Sequence, residues 1–331
     1  MSIEKRSFGT TRDGQAVDCY TLSDGGIEAE IITYGGTIRA LTVPVPGGAR
    51  DVSLGFDDIG GYEAQTVYFG MLVGRVAGRI SDSAFTLGGT RYQLSVNNGP
   101  NCLHGGFKGF SKRVWAAEVS GDTLWLSLYS PDGEEGFPGN LSAWVGYTVK
   151  DGALTIEYRA ESDADTPLSL TNHAYFNLNG HGVGGIGGHS LQIYADTITE
   201  SDDALINTGE ILDVSGTPYD LREGKVIGDF EYDINFILGR EVTKELRPAA
   251  VLRSEGLEME CLTTETGIQL YTGNTMSGDI GKGGAVYSYC TGLCLETQAW
   301  PNAINRPNFP SCVLRKGEVY QSKTVYRFSS Y

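Results

Sequence analysis

Leu154-Thr155-Ile156-Glu157-Tyr158-Arg159 alternates apolar and polar residues one for one. A period of two marks a strand with one face buried and the other in water. Asp122-Thr123-Leu124-Trp125-Leu126-Ser127-Leu128-Tyr129 alternates in the same way, and the turn formers Ser130-Pro131-Asp132-Gly133 then break it. Further strand candidates are Ile27 to Tyr34 (closed by Gly35-Gly36), Ser190 to Ala195, Val251 to Leu262, Ile268 to Thr272 and Val319 to Phe328. Capped helical patterns are scarce, and Asp57 to Tyr62 is the short helical turn expected. Strands spaced by about ten residues and punctuated by Gly or Pro predict an all-β fold, a large antiparallel β-sandwich. With neither a fixed-period repeat nor a linker, a single domain over 1–331 is expected.

The composition narrows the partners. Lys and Arg number 25 against 41 Asp and Glu, a formal charge of −16. A field of that sign repels nucleic acid, anionic lipid and polyphosphates, so a neutral small molecule is the expected ligand. Met1 to Phe8 lacks the apolar stretch of a signal peptide, and no apolar run approaches the roughly 20 residues of a membrane span. Six dispersed cysteines fit buried free thiols in a reducing cytoplasm. Cys290-x-x-x-Cys294 is the one close pair, and no nearby histidine or second pair completes a zinc set, so no metal is expected. Gly180 to Gly188 is glycine-rich but lacks the strand-then-helix setting of a phosphate cradle.

In Leu293-Cys294-Leu295-Glu296-Thr297-Gln298, alternation gives two distinct faces, and Trp300-Pro301-Asn302 opens a loop. A carboxylate held there, at Glu296, either satisfies buried backbone donors or performs proton chemistry. The chain has four histidines. His181 and His189 flank the glycine-rich loop and are expected in solvent. His104 stands among the turn formers of Asn97 to Gly106, either tied to a nearby carbonyl or presented for chemistry. Thr171, His173 and Tyr175 share one face of an alternating stretch, which suits a half-wet sheet surface or the wall of a sugar pocket equally. Arg79 and Asp233 taken singly read as surface ion-pair partners. Gln269 alternates with Ile268 and Leu270 and points to a cavity or to solvent.

Eight segments resemble, in order, those of the aldose 1-epimerases, the galactose mutarotase family. They are Gly74 to Ile80, Asn101 to Gly106, Gly133 to Asn140, Thr171 to Leu178, Gly216 to Leu221, Tyr232 to Phe236, Leu270 to Asn274 and Leu295 to Gln298. The resemblance implies the galactose mutarotase-like supersandwich, with an aldose held in a cleft on one sheet. It also implies Glu296 as general base and His173 as general acid. Substrate contacts would come from Arg79, His104, Asp233 and Gln269. Two positions depart from the family pattern. Gly78 stands where an asparagine often precedes the arginine, and Ile234 where a histidine often follows the aspartate.

The implied reaction exchanges α and β anomers of a hexose such as glucose or galactose. The anomeric hydroxyl loses a proton, the ring oxygen gains one, the ring opens, and reclosure on the other carbonyl face reverses both transfers. An unperturbed carboxylate near pKa 4.3 accepts at pH 7, and an imidazole near 6.5 donates. Both catalysts are restored each cycle, so no cofactor is expected, and the acting unit is a monomer or homodimer. Two rivals remain open. A non-catalytic carbohydrate-binding protein would bind without exchanging anomers, and a glycoside hydrolase would use Glu296 with Asp233.

Overall fold

The computed structural model describes residues 1–331. Three large antiparallel sheets build the molecule, with five two-stranded pairings beside them. The first is a meander of Ser2–Thr10, Ala16–Asp24, Ile27–Ile32, Thr37–Val45 and Gly48–Asp51. The largest has nine strands, in the order Ala116–Ser120, Thr123–Ser130, Leu141–Lys150, Ala153–Ser162, Val319–Ser330, Leu257–Thr263, Arg247–Ser254, Ser190–Ile193 and Lys225–Val226. The third has six, in the order Tyr175–Phe176, Leu293–Gln298, Gly267–Tyr271, Asp233–Ile237, Thr197–Ser201 and Asn207–Asp213. The alternation at Leu154 to Arg159 is realised: Leu154, Ile156 and Tyr158 are buried, while Thr155 and Glu157 are half-buried and Arg159 is exposed. Their apolar side joins a core of 53 residues drawn from all three sheets, so the two smaller sheets pack against the large one as a β-sandwich. Tyr147 Oη donates to Gly36 O at 2.6 Å on the first interface. Tyr326 Oη donates to Leu295 O at 3.0 Å on the second.

Local chemistry sets the boundaries. The stretch from Val251 to Leu262, expected as one strand, is a hairpin. Glu255 and Gly256 both adopt positive φ (47° and 74°), the pattern of a two-residue I′-type turn, and Ser254 pairs with Leu257. The short helix runs Ile59–Ala64, with Asp58 Oδ1 accepting from Gly61 N as its N-cap. No helix is long and apolar enough to cross a membrane.

Two buried polar groups fix loops rather than chemistry. Arg75, 2% exposed, has no carboxylate partner and instead donates to Ser130 Oγ and to the carbonyls of Ser130, Pro131, Pro138 and Gly139. That loop carries Glu135, whose carboxylate accepts from Phe107 N and Lys108 N and so braces the turn following His104. His189, expected in solvent, is fully buried, and its Nε2 accepts from Leu178 N at 2.9 Å. His181 is half-buried, with its Nδ1 2.9 Å from Tyr287 Oη. The flanking glycines signal flexibility but do not reveal that the loop folds back over the core.

Burial holds the His189 imidazole down at about 4, below the ordinary 6.5. Between those values the unfolded chain carries the proton and the folded chain does not, so wild-type stability falls as pH drops from 6.5 to 4. His189→Gln removes this term while keeping an acceptor. Its stability deficit against wild type should therefore shrink by up to about 1.4 kcal/mol per pH unit across that window. Urea unfolding of both proteins at pH 7 and pH 5 measures it; an unchanged deficit would contradict the assignment.

Candidate active site

Sheet register assembles the cleft. Gln269 pairs with Glu296, and Tyr271 pairs with both Cys294 and Asp233 across adjacent strands. Alternation then puts Cys294 and Glu296 on one face, with Leu293 and Leu295 on the other in the main core. All six residues of Leu293–Gln298 are buried, so both faces are enclosed. The cleft over this sheet encloses about 150 Å³. That is small beside the roughly 300–1,000 Å³ of drug-sized pockets and suits a single sugar ring.

All six residues singled out in the sequence line this cleft: Arg79, His104, His173, Asp233, Gln269 and Glu296. His173 Nε2 lies 3.5 Å from Glu296 Oε1. The other carboxyl oxygen, Glu296 Oε2, is buried without a hydrogen-bond partner. Gln269 Nε2 donates to Asp233 Oδ1 at 2.7 Å, so its side chain turns to the cleft rather than to solvent. Arg79 Nε donates to Asn98 Oδ1 at 3.0 Å, which aims the guanidinium from the neighbouring turn.

His173 follows a two-residue strand, Thr171–Asn172, and is held by its own backbone: its N–H donates to Met71 O and its carbonyl accepts from Gly70 N. The ring stacks on Tyr175 (centroids 5.1 Å apart) and on Tyr68 (5.7 Å). His104 occupies a left-handed position (φ 51°), with Nδ1 accepting from Gly78 N at 3.2 Å. That bond leaves the ring proton on Nε2. Asn97 bonds both the N–H and the carbonyl of Leu103, fixing the turn that presents the histidine.

Burial dominates the electrostatics. It raises the Glu296 carboxyl well above its ordinary range; Asp233 adds to the rise and Arg79 opposes it. It lowers His173 to about 4, and His104 well below 6.5 with a contribution from His173. Asp233 is also raised by burial, against Arg79 and Gln269. The ordinary values near 4.3 and 6.5 expected from the residue types are therefore replaced by a pair whose uncharged forms are favoured.

Several cleft residues escape the sequence reading. Tyr68 lies edge-on to His104 at 4.7 Å and adopts φ 62°, in a stretch that none of the eight resembling segments covers. Leu205 and Asn207 enter from a hairpin with no resemblance-bearing segment. Cys294, left without a histidine by linear spacing, has its Sγ 3.3 Å from His173 Nδ1, because the partner is 121 positions away in sequence. Of the two departures, Ile234 faces the main core and leaves the cleft untouched. Gly78 lines the cleft with φ 75°, and a Cβ there would meet Pro301 Cβ at 3.0 Å.

The molecule is thus an antiparallel β-sandwich protein with a buried carboxyl and an imidazole face to face in one cleft. The family model described as aldose 1-epimerase matches residues 18–327. The galactose mutarotase of Bos taurus is 44% identical over 339 aligned residues, covering 99% of each chain. The aldose 1-epimerase of Escherichia coli (strain K12) is 35% identical over 96% of each. The crystal structure of a GalM/aldose epimerase homologue from C. elegans superposes with a TM-score of 0.88 at 33% identity, covering 94% of this chain and 98% of that one. The chain belongs to the aldose 1-epimerase family.

Because Asp233 is the charged neighbour that raises Glu296, Asp233→Asn should lower the pH at which Glu296 ionises, and Arg79→Met should raise it. Infrared difference spectra of the protonated-carboxyl band, with Glu296→Gln identifying the signal, follow both shifts. Movement in the same direction for both variants would overturn this account.

Proposed function

We propose that the protein is an aldose 1-epimerase, a mutarotase that interconverts the α and β anomers of a hexose such as galactose or glucose. Its family membership and the names of its relatives support the reaction class. The observation that carries the assignment to residues is the 3.5 Å approach of His173 Nε2 to Glu296 Oε1 in a cleft of sugar-ring size. The rival sequence readings lose ground, because Glu296 faces an imidazole and the matched relatives are named as a galactose mutarotase and an aldose 1-epimerase.

Glu296 acts as base and His173 as acid, as a pair sharing one proton. In the charged arrangement Glu296 is ionised and His173 protonated. Glu296 Oε2 takes the anomeric hydroxyl proton while His173 Nε2 protonates the ring oxygen, and the C1–O5 bond breaks. This leaves the open aldehyde beside a carboxylic acid and a neutral imidazole, the arrangement that burial favours. Rotation about C1–C2 exposes the other carbonyl face. His173 then withdraws the O5 hydroxyl proton as O5 attacks C1, and Glu296 returns a proton to the carbonyl oxygen. The pair ends as it began, so the cycle calls for no cofactor. Sugar hydroxyls bound to the carboxylate lower the cost of its charged form, which links binding to activation. Arg79, His104, Asp233 and Gln269 supply donors and acceptors for the remaining hydroxyls. One guanidinium beside two carboxyls suits a neutral sugar.

We read the chain as one domain, because a single core cluster runs from Tyr20 to Phe328. We read its setting as cytoplasmic, in keeping with six free cysteines. The acting unit is a monomer or homodimer with no nucleic acid or membrane partner, in keeping with the charge of −16.

Polarimetry on freshly dissolved α-galactose and α-glucose tests the mechanism. Glu296→Gln and His173→Asn should each lower the turnover by about 10²–10⁴. Full activity in both would sink the assigned roles. A second prediction concerns pH. The acid limb begins when a second proton enters the pair, and His173 accepts it only near 4. The kcat/KM profile should therefore hold level below pH 6.5 and fall towards 4; an acid limb centred on the ordinary imidazole value would contradict the pairing.

A further inference from the structure

Cys294 and Glu296 stand two residues apart on one face of their strand, about 6.7 Å along it. The His173 imidazole spans them. Its Nε2 lies 3.5 Å from Glu296 Oε1, and on the other edge of the ring its Nδ1 lies 3.3 Å from Cys294 Sγ. Cys294 is fully buried and does not line the cleft, so it can act on a bound sugar only through His173. Burial, with Glu296 and Asp233 adding, holds its thiol well above the ordinary range. The sulfur therefore keeps its proton, and the contact is not a thiolate–imidazolium pair. A neutral imidazole leaves two assignments of the ring proton. Either the thiol donates to Nδ1 and the ring proton sits on Nε2, or Nδ1–H donates to the sulfur and Nε2 is free to accept.

The acid–base cycle chooses between them. During reclosure His173 Nε2 takes the O5 hydroxyl proton, which it can do only when the neutral ring carries its own proton on Nδ1. We infer that Cys294 is a positioning residue for the general acid: its sulfur accepts from His173 Nδ1–H and reserves Nε2 for proton exchange. This rests on the epimerase reading, which sets the direction of transfer. Tyr68, His104, Tyr175 and Tyr271 approach the imidazole through their rings, with centroids 5.1 to 6.3 Å from its own, so the thiol is the polar group at Nδ1. The choice of sulfur has a physical consequence. A carboxylate at Nδ1 would fix the same tautomer, but it would also stabilise the imidazolium and raise its pKa. A thiol sulfur is a weak, uncharged acceptor, so it orders the ring while burial keeps the imidazole down at about 4.

Nuclear magnetic resonance of the purified full chain, with isotope-labelled histidine nitrogens, locates the proton, and His173→Gln identifies the signal. At pH 7, two-bond proton–nitrogen correlation spectra of wild type should show His173 protonated at Nδ1 and bare at Nε2. A proton on Nε2 overturns the inference, whatever the variants do. Cys294→Val fills the site without an acceptor, so the proton should move to Nε2, where the Glu296 carboxyl accepts it. Its kcat in polarimetry should fall about tenfold with KM unchanged, since Cys294 does not touch the sugar. Cys294→Ser keeps an acceptor and should retain Nδ1–H and most of kcat. Wild-type kcat in folded Cys294→Val, or a Cys294→Ser as slow as Cys294→Val, also overturns the role. Should Cys294→Val misfold by circular dichroism, the wild-type spectrum decides alone. Nδ1–H in a wild type that exchanges no anomers supports the proton placement and counts against the epimerase reading instead.

Discussion

The architecture of the cleft depends on one strand being enclosed on both sides. Leu293 and Leu295 of Leu293–Gln298 are sealed into the main core. Tyr326 reaches across from the nine-stranded sheet to bond the Leu295 carbonyl, which locks the strand against its support. A strand fixed in this way cannot slip register, since a shift of one residue would drive Glu296 into the apolar core and expose the leucines to the cleft. The same constraint aims Gln269 and Asp233, because both stand on strands whose register is set, directly or through one neighbour, by pairing with Leu293–Gln298. Core packing and site geometry are one arrangement seen from opposite faces of a sheet.

That enclosure also sets the electrostatics. Desolvation is the leading influence on Glu296, His173, His104 and Asp233 alike, ahead of any single neighbouring charge. Burial acts in opposite directions on an acid and a base, raising the carboxyl and lowering the imidazole. The shifts favour a carboxylic acid beside a neutral imidazole over a carboxylate beside an imidazolium. An exposed pair would keep its ordinary values and hold the proton firmly on one side. Arg79 limits the effect by favouring the ionised carboxyls, and its bond to Asn98 keeps it clear of a direct ion pair with either. The cleft thus retains an unpartnered carboxyl oxygen without a fixed cation to neutralise it.

How much of this could be read beforehand follows from which interactions are local. Alternation at Leu154 to Arg159 reports one buried face directly, and the strand has that burial pattern. The hairpin at Glu255-Gly256 was hidden because the flanking residues are apolar enough to read as one strand, although the glycine at a positive-φ position was the available signal. His189 was misplaced because glycine-rich flanks describe chain flexibility and say nothing about what folds over them. The six candidate residues that line the cleft were legible in the stretches that hold them, since each stretch joins a turn or strand signal to a chemically distinctive side chain. Tyr68 was not, because its conformation is imposed by packing on two histidines from other parts of the chain. The Cys294–His173 contact was likewise out of reach. Spacing rules for metal ligands assume a compact loop, whereas here a strand and a distant segment bring sulfur and imidazole together through sheet pairing. Tyr175, two residues beyond His173, pairs with Cys294 itself, so the sheet register places the thiol beside the ring in a way that no local pattern expresses.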